Sequence, residues 1–243
     1  MKEFVIVIPA RLKSSRLPRK PLAEISGKPM ILHTYERANE ATSANNIYIA
    51  TDSNEILKLC DRVGVNCILT SEKCLTGTDR IAEFSKKIKA KIYINLQGDE
   101  PIMNKDNILK MIEAGCKNPD QIINGWASIN NNREFISRNI PKVVIKDNGN
   151  LMYMSRSPIP GNKLDQFVEA KKQICVYSFP KKALDFLLEN PQKSSTENIE
   201  DIEILRFLEL GWDIKMIELT GESIAVDTPK DLKLVRQIMR SKS

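Results

Sequence analysis

The feature that most restricts the fold of this chain is the rhythm of residues 1–100, where short apolar runs alternate with longer amphipathic ones. EFVIVIPA reads as a strand buried on both faces, and PMILHTYERANEA has helical spacing. NIYIATD, SNEILKLCDRVG closed by Gly64, VNCILTS, TDRIAEFSKKIKA and KIYINLQGDEP continue the alternation. Strands separated by helices of roughly ten to fifteen residues need crossovers, which are right-handed and build a parallel sheet. The predicted class is therefore α/β, a mainly parallel sheet flanked by helices. After about residue 120 the rhythm breaks. QIINGWASI, KVVIKDNGNLMYMSRSPIP and QICVYSF read as strands joined by short turns, with Asp147-Asn148-Gly149-Asn150 as a hairpin. A smaller antiparallel β lobe is thus predicted over about 125–180, inside a single domain spanning 1–243. PKKALDFLLEN, then TENIEDIEILRFLELG ending at Gly211, read as helices, and WDIKMIEL as a late strand. VDTPKDLKLVRQIM opens a last helix with Asp227 or Thr228 as cap and Pro229 in its first turn.

Composition removes several classes of function. The net charge is +6, but with aromatic residues at 6% the chain lacks the interleaved footprint of a nucleic-acid binder. Cys60, Cys67, Cys74, Cys116 and Cys175 are odd in number and contain no C-x-x-C pair, the pattern of reduced thiols in a cytoplasmic protein. His33 is the single histidine, which comes close to excluding a Ser-His-Asp triad and rules against a multi-histidine metal site. The apolar run near the N-terminus is too short for a signal segment or a membrane span, so a soluble protein with no membrane partner is expected.

In an open parallel sheet ligands gather outside the carboxyl ends of the strands. The loop after the first strand, PARLKSSRLPRKPL, holds Arg11, Arg16 and Lys20 with Ser14 and Ser15. Guanidinium, ammonium and loop N–H groups at a strand end suit a polyphosphate, although a solvated basic loop has the same composition. The loop LQGDEP sets Asp99 and Glu100 at the end of an apolar strand; Asp99 is placed either to ligate Mg²⁺ or to cap the next helix. Asp227 of AVDTP offers the same choice, ligand or cap. Thr76, Gly77, Thr78 and Arg80 lie at the start of another helix, as a binding element or an ordinary capped terminus. If Asp99 and Asp227 converge, they can hold a metal beside the basic loop.

Read in order, IPAR-x₃-SRLP-x-KPL, G-KPMI, ATD, TGTDR, NLQGDEP, SRSPIP and VDTP-x-DL span nearly the whole chain and resemble the CMP-Kdo synthetases, the 3-deoxy-manno-octulosonate cytidylyltransferases, with the CMP-sialate synthetases as wider relatives. The resemblance implies a nucleotide-diphospho-sugar transferase-like fold and transfer of CMP from CTP to the anomeric hydroxyl of a 3-deoxy sugar acid, with release of pyrophosphate. It implies that Arg11, Lys20, Asp99 and Asp227 are catalytic. Mg²⁺ would be held by Asp99 and Asp227, and the nucleotide by Arg11, Ser14, Arg16, Lys20, Thr76, Gly77, Thr78, Arg80 and Gln97. The acceptor would meet Gln97, Arg156, Gln173, Tyr177 and Glu203, with Arg156 at its carboxylate. The resemblance further implies a cytoplasmic homodimer built through the β lobe, serving lipopolysaccharide or capsule synthesis.

Three departures from the family pattern stand out. Arg19 takes the place of a glycine in the usual RLPGKPL, either adding a cation near the phosphates or removing a flexible turn. Gln173 and Cys175 replace a histidine and a glycine of H-x-G-I-Y, while Tyr177 is kept, and Ile204 replaces the glutamine of E-Q-L-R. These changes fall on the acceptor side and point to Kdo or to a different acid, such as a sialate-type or amino-modified one. A nucleotide-sugar-dependent glycosyltransferase would carry D-x-D, where this chain has Asp99-Glu100-Pro101. A non-catalytic relative would lack Asp99, Asp227 or Lys20, all of which are present. Use of UTP in place of CTP is a further alternative.

Overall fold

The computed structural model describes residues 1–14 and 16–241. Strand β1 (Lys2–Ala10) leads through the basic loop and a 3₁₀ turn (Lys20–Leu22) into a small hairpin, β2 (Glu24–Ile25) and β3 (Lys28–Pro29), and then α1 (Met30–Ala41). The alternation continues with β4 (Ile47–Thr51), α2 (Asn54–Val63), β5 (Cys67–Leu69), α3 (Gly77–Lys87), β6 (Ala90–Leu96), α4 (Lys105–Lys117), β7 (Ile122–Ile129) and the short α5 (Asn132–Ile136). A hairpin follows, β8 (Lys142–Ile145) and β9 (Leu151–Ser155), then β10 (Ala170–Pro180), α6 (Lys181–Glu189), α7 (Ser195–Glu200), α8 (Leu205–Glu209), β11 (Ile214–Glu218) and α9 (Pro229–Ser241).

The main sheet runs β11-β7-β10-β6-β1-β4-β5. Every neighbouring pair along it is parallel except the two that involve β10, which runs against β6 and β7. Both faces are covered, and β1 shows how. Val5 and Val7 pack into one cluster with Ile81 and Phe84 of α3 and Leu184 of α6, while Ile6 and Ile8 pack into the other with Ile31 of α1, Ile56 of α2 and Ile108 of α4. All four β1 side chains are fully buried, as the two-faced apolar run predicts.

Two expectations are corrected. The stretch 125–180 is not one lobe: β7 and β10 are interior strands of the main sheet, and only the β8–β9 hairpin branches from it, with β8 paired antiparallel to β10. The reason lies in burial, since Ile122, Ile123, Val176 and Phe179 are fully buried and need neighbours on both faces. The helix expected over residues 196–211 is two helices, α7 and α8, separated at Asp201, whose φ of 50° is left-handed. Arg206 reaches Glu197 from beyond this break, with Nε 2.6 Å from Oε2.

Candidate active site

The basic loop and the two acidic loops meet above β1 and β6. Gly98 allows the approach: a Cβ there would lie 2.6 Å from the Pro9 carbonyl oxygen, so any side chain would push the β6 loop off the end of β1. The segment after β11 then crosses over, and Val226 N–H donates to the Asp99 carbonyl at 2.9 Å. That bond sets the neighbouring Asp227 beside Asp99. Lys20 Nζ lies between the two carboxylates, 2.5 Å from Asp99 Oδ2 and 2.9 Å from Asp227 Oδ1, and Arg16 reaches Asp227 Oδ1 at 3.1 Å. The two distant aspartates do converge.

Neither aspartate is a helix cap. Asn104 caps α4 through its side chain. At α9, Thr228 Oγ1 accepts from Asp231 N–H at 3.3 Å while the Asp231 carboxylate accepts the Thr228 N–H at 2.8 Å, a reciprocal cap that leaves the Asp227 side chain to the cleft. Burial pushes Asp227 up, but the Lys20 ammonium, with Arg16 and Arg156, outweighs it and holds the carboxyl below its usual range. Burial pulls Lys20 down, and Asp99 with Asp227 reverses this, so its ammonium stays firmly charged. Glu100 is different: buried behind Asp99, its carboxyl is pushed up to about 8 by desolvation and by the Asp99 charge, against a hydrogen bond from Ser223.

The remaining predicted residues fall in distinct places. Arg11 is exposed at the end of β1, and Ser14 Oγ accepts from Leu17 N–H at 3.4 Å within the loop; Ser15 lies outside the described residues. Arg19 adopts φ 56° and ψ 32°, the left-handed region that glycine favours, and its side chain pairs with Glu55 of α2 rather than turning to the cleft. Of the two readings of Arg19, the structure shows a left-handed turn held by the arginine itself and no added cation in the cleft. Thr76 caps α3 in the ordinary way, accepting from Asp79 N–H at 3.1 Å. Gln97 reaches the same terminus, since a Cβ on Gly77 would lie 3.2 Å from its amide.

Two expected ligands face elsewhere. Arg80 is buried, bonded to Thr70 Oγ1 at 2.6 Å and Asp52 Oδ2 at 2.9 Å, because its place on α3 points it at the loops after β4 and β5. Asp52 Oδ1 also accepts Leu12 N–H at 3.4 Å, so Arg80 supports the basic loop from behind. Glu203 turns inward to the N-terminus of α3, where its carboxylate accepts the N–H groups of Gly77 at 3.0 Å and Thr78 at 2.9 Å and the Thr78 hydroxyl at 2.5 Å. Burial raises its carboxyl, and these donors oppose the rise.

Of the residues expected to meet the acceptor, Gln173 donates from Nε2 to Asn124 Oδ1 at 3.0 Å and to Tyr177 OH at 2.9 Å. Asn124 in turn ties down a bulge in β10 by donating to the carbonyls of Ile174 and Val176. Cys175 projects from that bulge, and burial together with the charges of Glu100, Asp99, Glu203 and Asp227 holds its thiol well above the usual value. Arg156 donates Nε to the Glu200 carbonyl at 2.5 Å, Nη1 to that of Arg138 at 3.1 Å and Nη2 to that of Asp201 at 2.9 Å. Its charge also acts on Asp227. The sequence reading passed over Asp52, Asp79, Glu197 and Arg206. The signal available was an arginine inside the apolar run EILRFL, where burial demands carboxylate partners.

An α/β sheet with a basic loop after its first strand and two convergent carboxylates at its carboxyl edge defines a nucleotidyl-transferring fold. The chain belongs to the cytidylyltransferase family, whose pattern it matches over residues 5–217. The 3-deoxy-manno-octulosonate cytidylyltransferase of Chloroherpeton thalassium is 40% identical over 244 residues, covering 98% of each chain, and that of Escherichia coli 35% identical over 239 residues, covering 98% of this chain and 97% of its own. The structure of CMP:2-keto-3-deoxy-manno-octonic acid synthetase complexed with CTP superposes with a TM-score of 0.91 at 34% identity, each chain covered completely.

The convergent pair also fits a divalent cation. Both donors are hard carboxylate oxygens, and the Lys20 ammonium shows that one cation can touch both. Among the described residues no group of three or more His, Cys, Asp and Glu could hold a metal. Further ligands would therefore come from outside the protein, as phosphate oxygens do for Mg²⁺.

Proposed function

We propose that the chain transfers CMP from CTP to the anomeric hydroxyl of a 3-deoxy sugar acid, with Kdo as the first candidate. The observation that carries this is the placement of Lys20 between Asp99 and Asp227 beside the basic loop. The sugar oxygen attacks the α-phosphorus, a new P–O bond forms, the bond to the β-phosphate breaks, and pyrophosphate leaves with its charge. Such a transfer needs positioning and charge neutralisation, not a covalent protein nucleophile. Arg11, Arg16 and Lys20 supply cations to the triphosphate. Gln97 and the TGT segment border the nucleotide, and Gln173, Cys175, Tyr177 and Arg156 face the acceptor. Asp99 and Asp227 would hold Mg²⁺, which offsets phosphate charge and eases loss of the attacking hydroxyl's proton.

Asp99→Asn keeps the shape and removes one carboxylate charge. Pyrophosphate release should fall by about a thousandfold or more with an unchanged circular dichroism spectrum, in line with the loss of an electrostatic anchor. Activity within tenfold of wild type would remove the metal assignment. A second reading, transfer to an amino-modified or sialate-type acid, is favoured by Gln173 and Cys175 standing where the family has histidine and glycine. A panel of acids in the same assay separates the two, and fast, saturable turnover of Kdo alone excludes the second.

The protein would act as a cytoplasmic homodimer. The five free cysteines support a reducing compartment, and the exposed apolar side chains of Met152 on β9 and Ile199 on α7 offer surface for self-association. No helix among the described residues is long and apolar enough to cross a membrane.

A further inference from the structure

Lys142 opens β8 with a fully buried side chain. Its ammonium donates to three main-chain carbonyls, those of Ser137 at 2.7 Å, Ile140 at 2.6 Å and Arg156 at 2.6 Å, which uses all three of its donors. The charged groups around it are the guanidiniums of Arg138 and Arg156, which disfavour its charge, and the Glu200 carboxylate, which favours it. On the neighbouring β10, Lys172 is paired with Glu134. At the end of α7, Asp201 faces Lys193 and Arg156. Burying an ammonium between two guanidiniums is costly, and such a group is retained for what it holds in place.

What it holds is Arg156. The Arg156 main chain is fixed at both polar groups: its N–H donates to Glu200 Oε2 at 2.8 Å and its carbonyl accepts from Lys142. The guanidinium is fixed as well, by the carbonyls of Glu200, Arg138 and Asp201. Arg138 belongs to the turn whose Ser137 and Ile140 carbonyls Lys142 also grips, and its own Nη1 donates to Ser157 Oγ at 2.6 Å. Three of the five guanidinium N–H groups are thereby engaged, leaving one on each terminal nitrogen to donate to a further acceptor.

We propose that Lys142 is the positioning residue of the acceptor half-site: its ammonium locks the Arg156 main chain and the 137–140 turn so that the guanidinium is presented to the carboxylate of the acceptor acid. This rests on the cytidylyltransfer reading above. Burial, then Arg138 and Arg156, pull the Lys142 ammonium down to about 8, so the lock loosens within an accessible range of pH. Above that value the neutral amine has one donor fewer and no charge. A carbonyl is released, the positive potential around Arg156 falls, and the acid binds less well.

Initial rates of pyrophosphate release with CTP and Kdo test this in wild type, Lys142→Met and Arg156→Ala, with folding followed by circular dichroism. Lys142→Met should raise KM for the acid at least tenfold while KM for CTP stays within about twofold. In wild type KM for the acid should climb severalfold between pH 7 and pH 9 with KM for CTP flat, and Lys142→Met should lose that dependence. Parallel rises in both KM values, or an unchanged KM for the acid, overturn the proposal. Should Lys142→Met fail to fold, the wild-type profile decides, and a flat KM for the acid overturns it. A raised KM for the acid in Arg156→Ala but not in Lys142→Met sinks the role of Lys142 alone. An unchanged one in Arg156→Ala removes the acceptor assignment and this role together. No release by wild type with any acid brings down the cytidylyltransfer reading as well.

Discussion

Arg19 sits with φ 56° in the left-handed region, where a non-glycine residue pays roughly 1–2 kcal/mol for contact between Cβ and the following carbonyl. Its ion pair with Glu55 is between two exposed groups and returns little. Arg19→Gly should therefore raise stability by about 1 kcal/mol, visible as a higher urea midpoint, with little change in turnover. Glu100 gives a prediction in pH. Its folded value of about 8 lies above the ordinary 4.5, so the folded state keeps a proton that the unfolded chain releases between those values. The resulting stabilisation is complete below 4.5 and lost by about 8, so stability should fall as pH rises through that window. Glu100→Gln, which still offers Ser223 an acceptor, should flatten the decline in urea denaturation at pH 5 and pH 8.

Between elements, a buried charge network decides how α7 and α8 sit on α3. Arg206 is almost fully buried and bonds Glu197 at 2.6 and 2.8 Å and Asp79 at 2.8 and 3.2 Å. With Glu203 on the α3 terminus, the 194–211 segment holds the TGTDR loop from behind. Arg206→Leu leaves Glu197 as a buried carboxylate without its cation and should cost about 3–5 kcal/mol by chemical denaturation. A double variant with Glu197→Leu should recover part of that loss, since the uncompensated charge goes with the arginine. The β8–β9 hairpin shows a further element-scale device. Its tip lies against the outer edge of β11, where Met216 N–H donates to the Gly149 carbonyl at 2.9 Å and Asn150 bridges Lys215. A free sheet edge is thereby covered.

For the molecule as a whole, the site is assembled from loops that leave β1, β6 and β11, so a ligand that bridges them should stabilise the entire domain. CTP with Mg²⁺ should raise the melting temperature more than UTP or ATP under the same conditions, with about 2.7 kcal/mol of added stability at a hundredfold excess over Kd. Equal shifts from the three nucleotides would mean that the base is not read.

The alternation of apolar runs was enough to determine the parallel α/β sheet, because a strand buried on both faces and a helix buried on one leave different periods in the sequence. Asp99 and the basic loop were legible for the same reason, since each follows directly from a recognisable strand. Asp227 does not end a strand but lies in the irregular segment between β11 and α9, and only the Val226–Asp99 bond brings it to the sheet edge. What the sequence could not carry was direction and partner. Whether β10 joins the main sheet or a separate lobe depends on which neighbours bury it, and Gln173 and Tyr177 show no sign in the chain of the bonds they share with Asn124. Arg80, Glu203 and Arg206 are charged residues with nothing local to distinguish a ligand from a strut. Only tertiary packing chose for them, setting Arg80 of α3 against the loops after β4 and β5 and bringing Glu203 and Arg206 to the start of α3, since a charge taken out of water must find its counterpart wherever the tertiary structure supplies one.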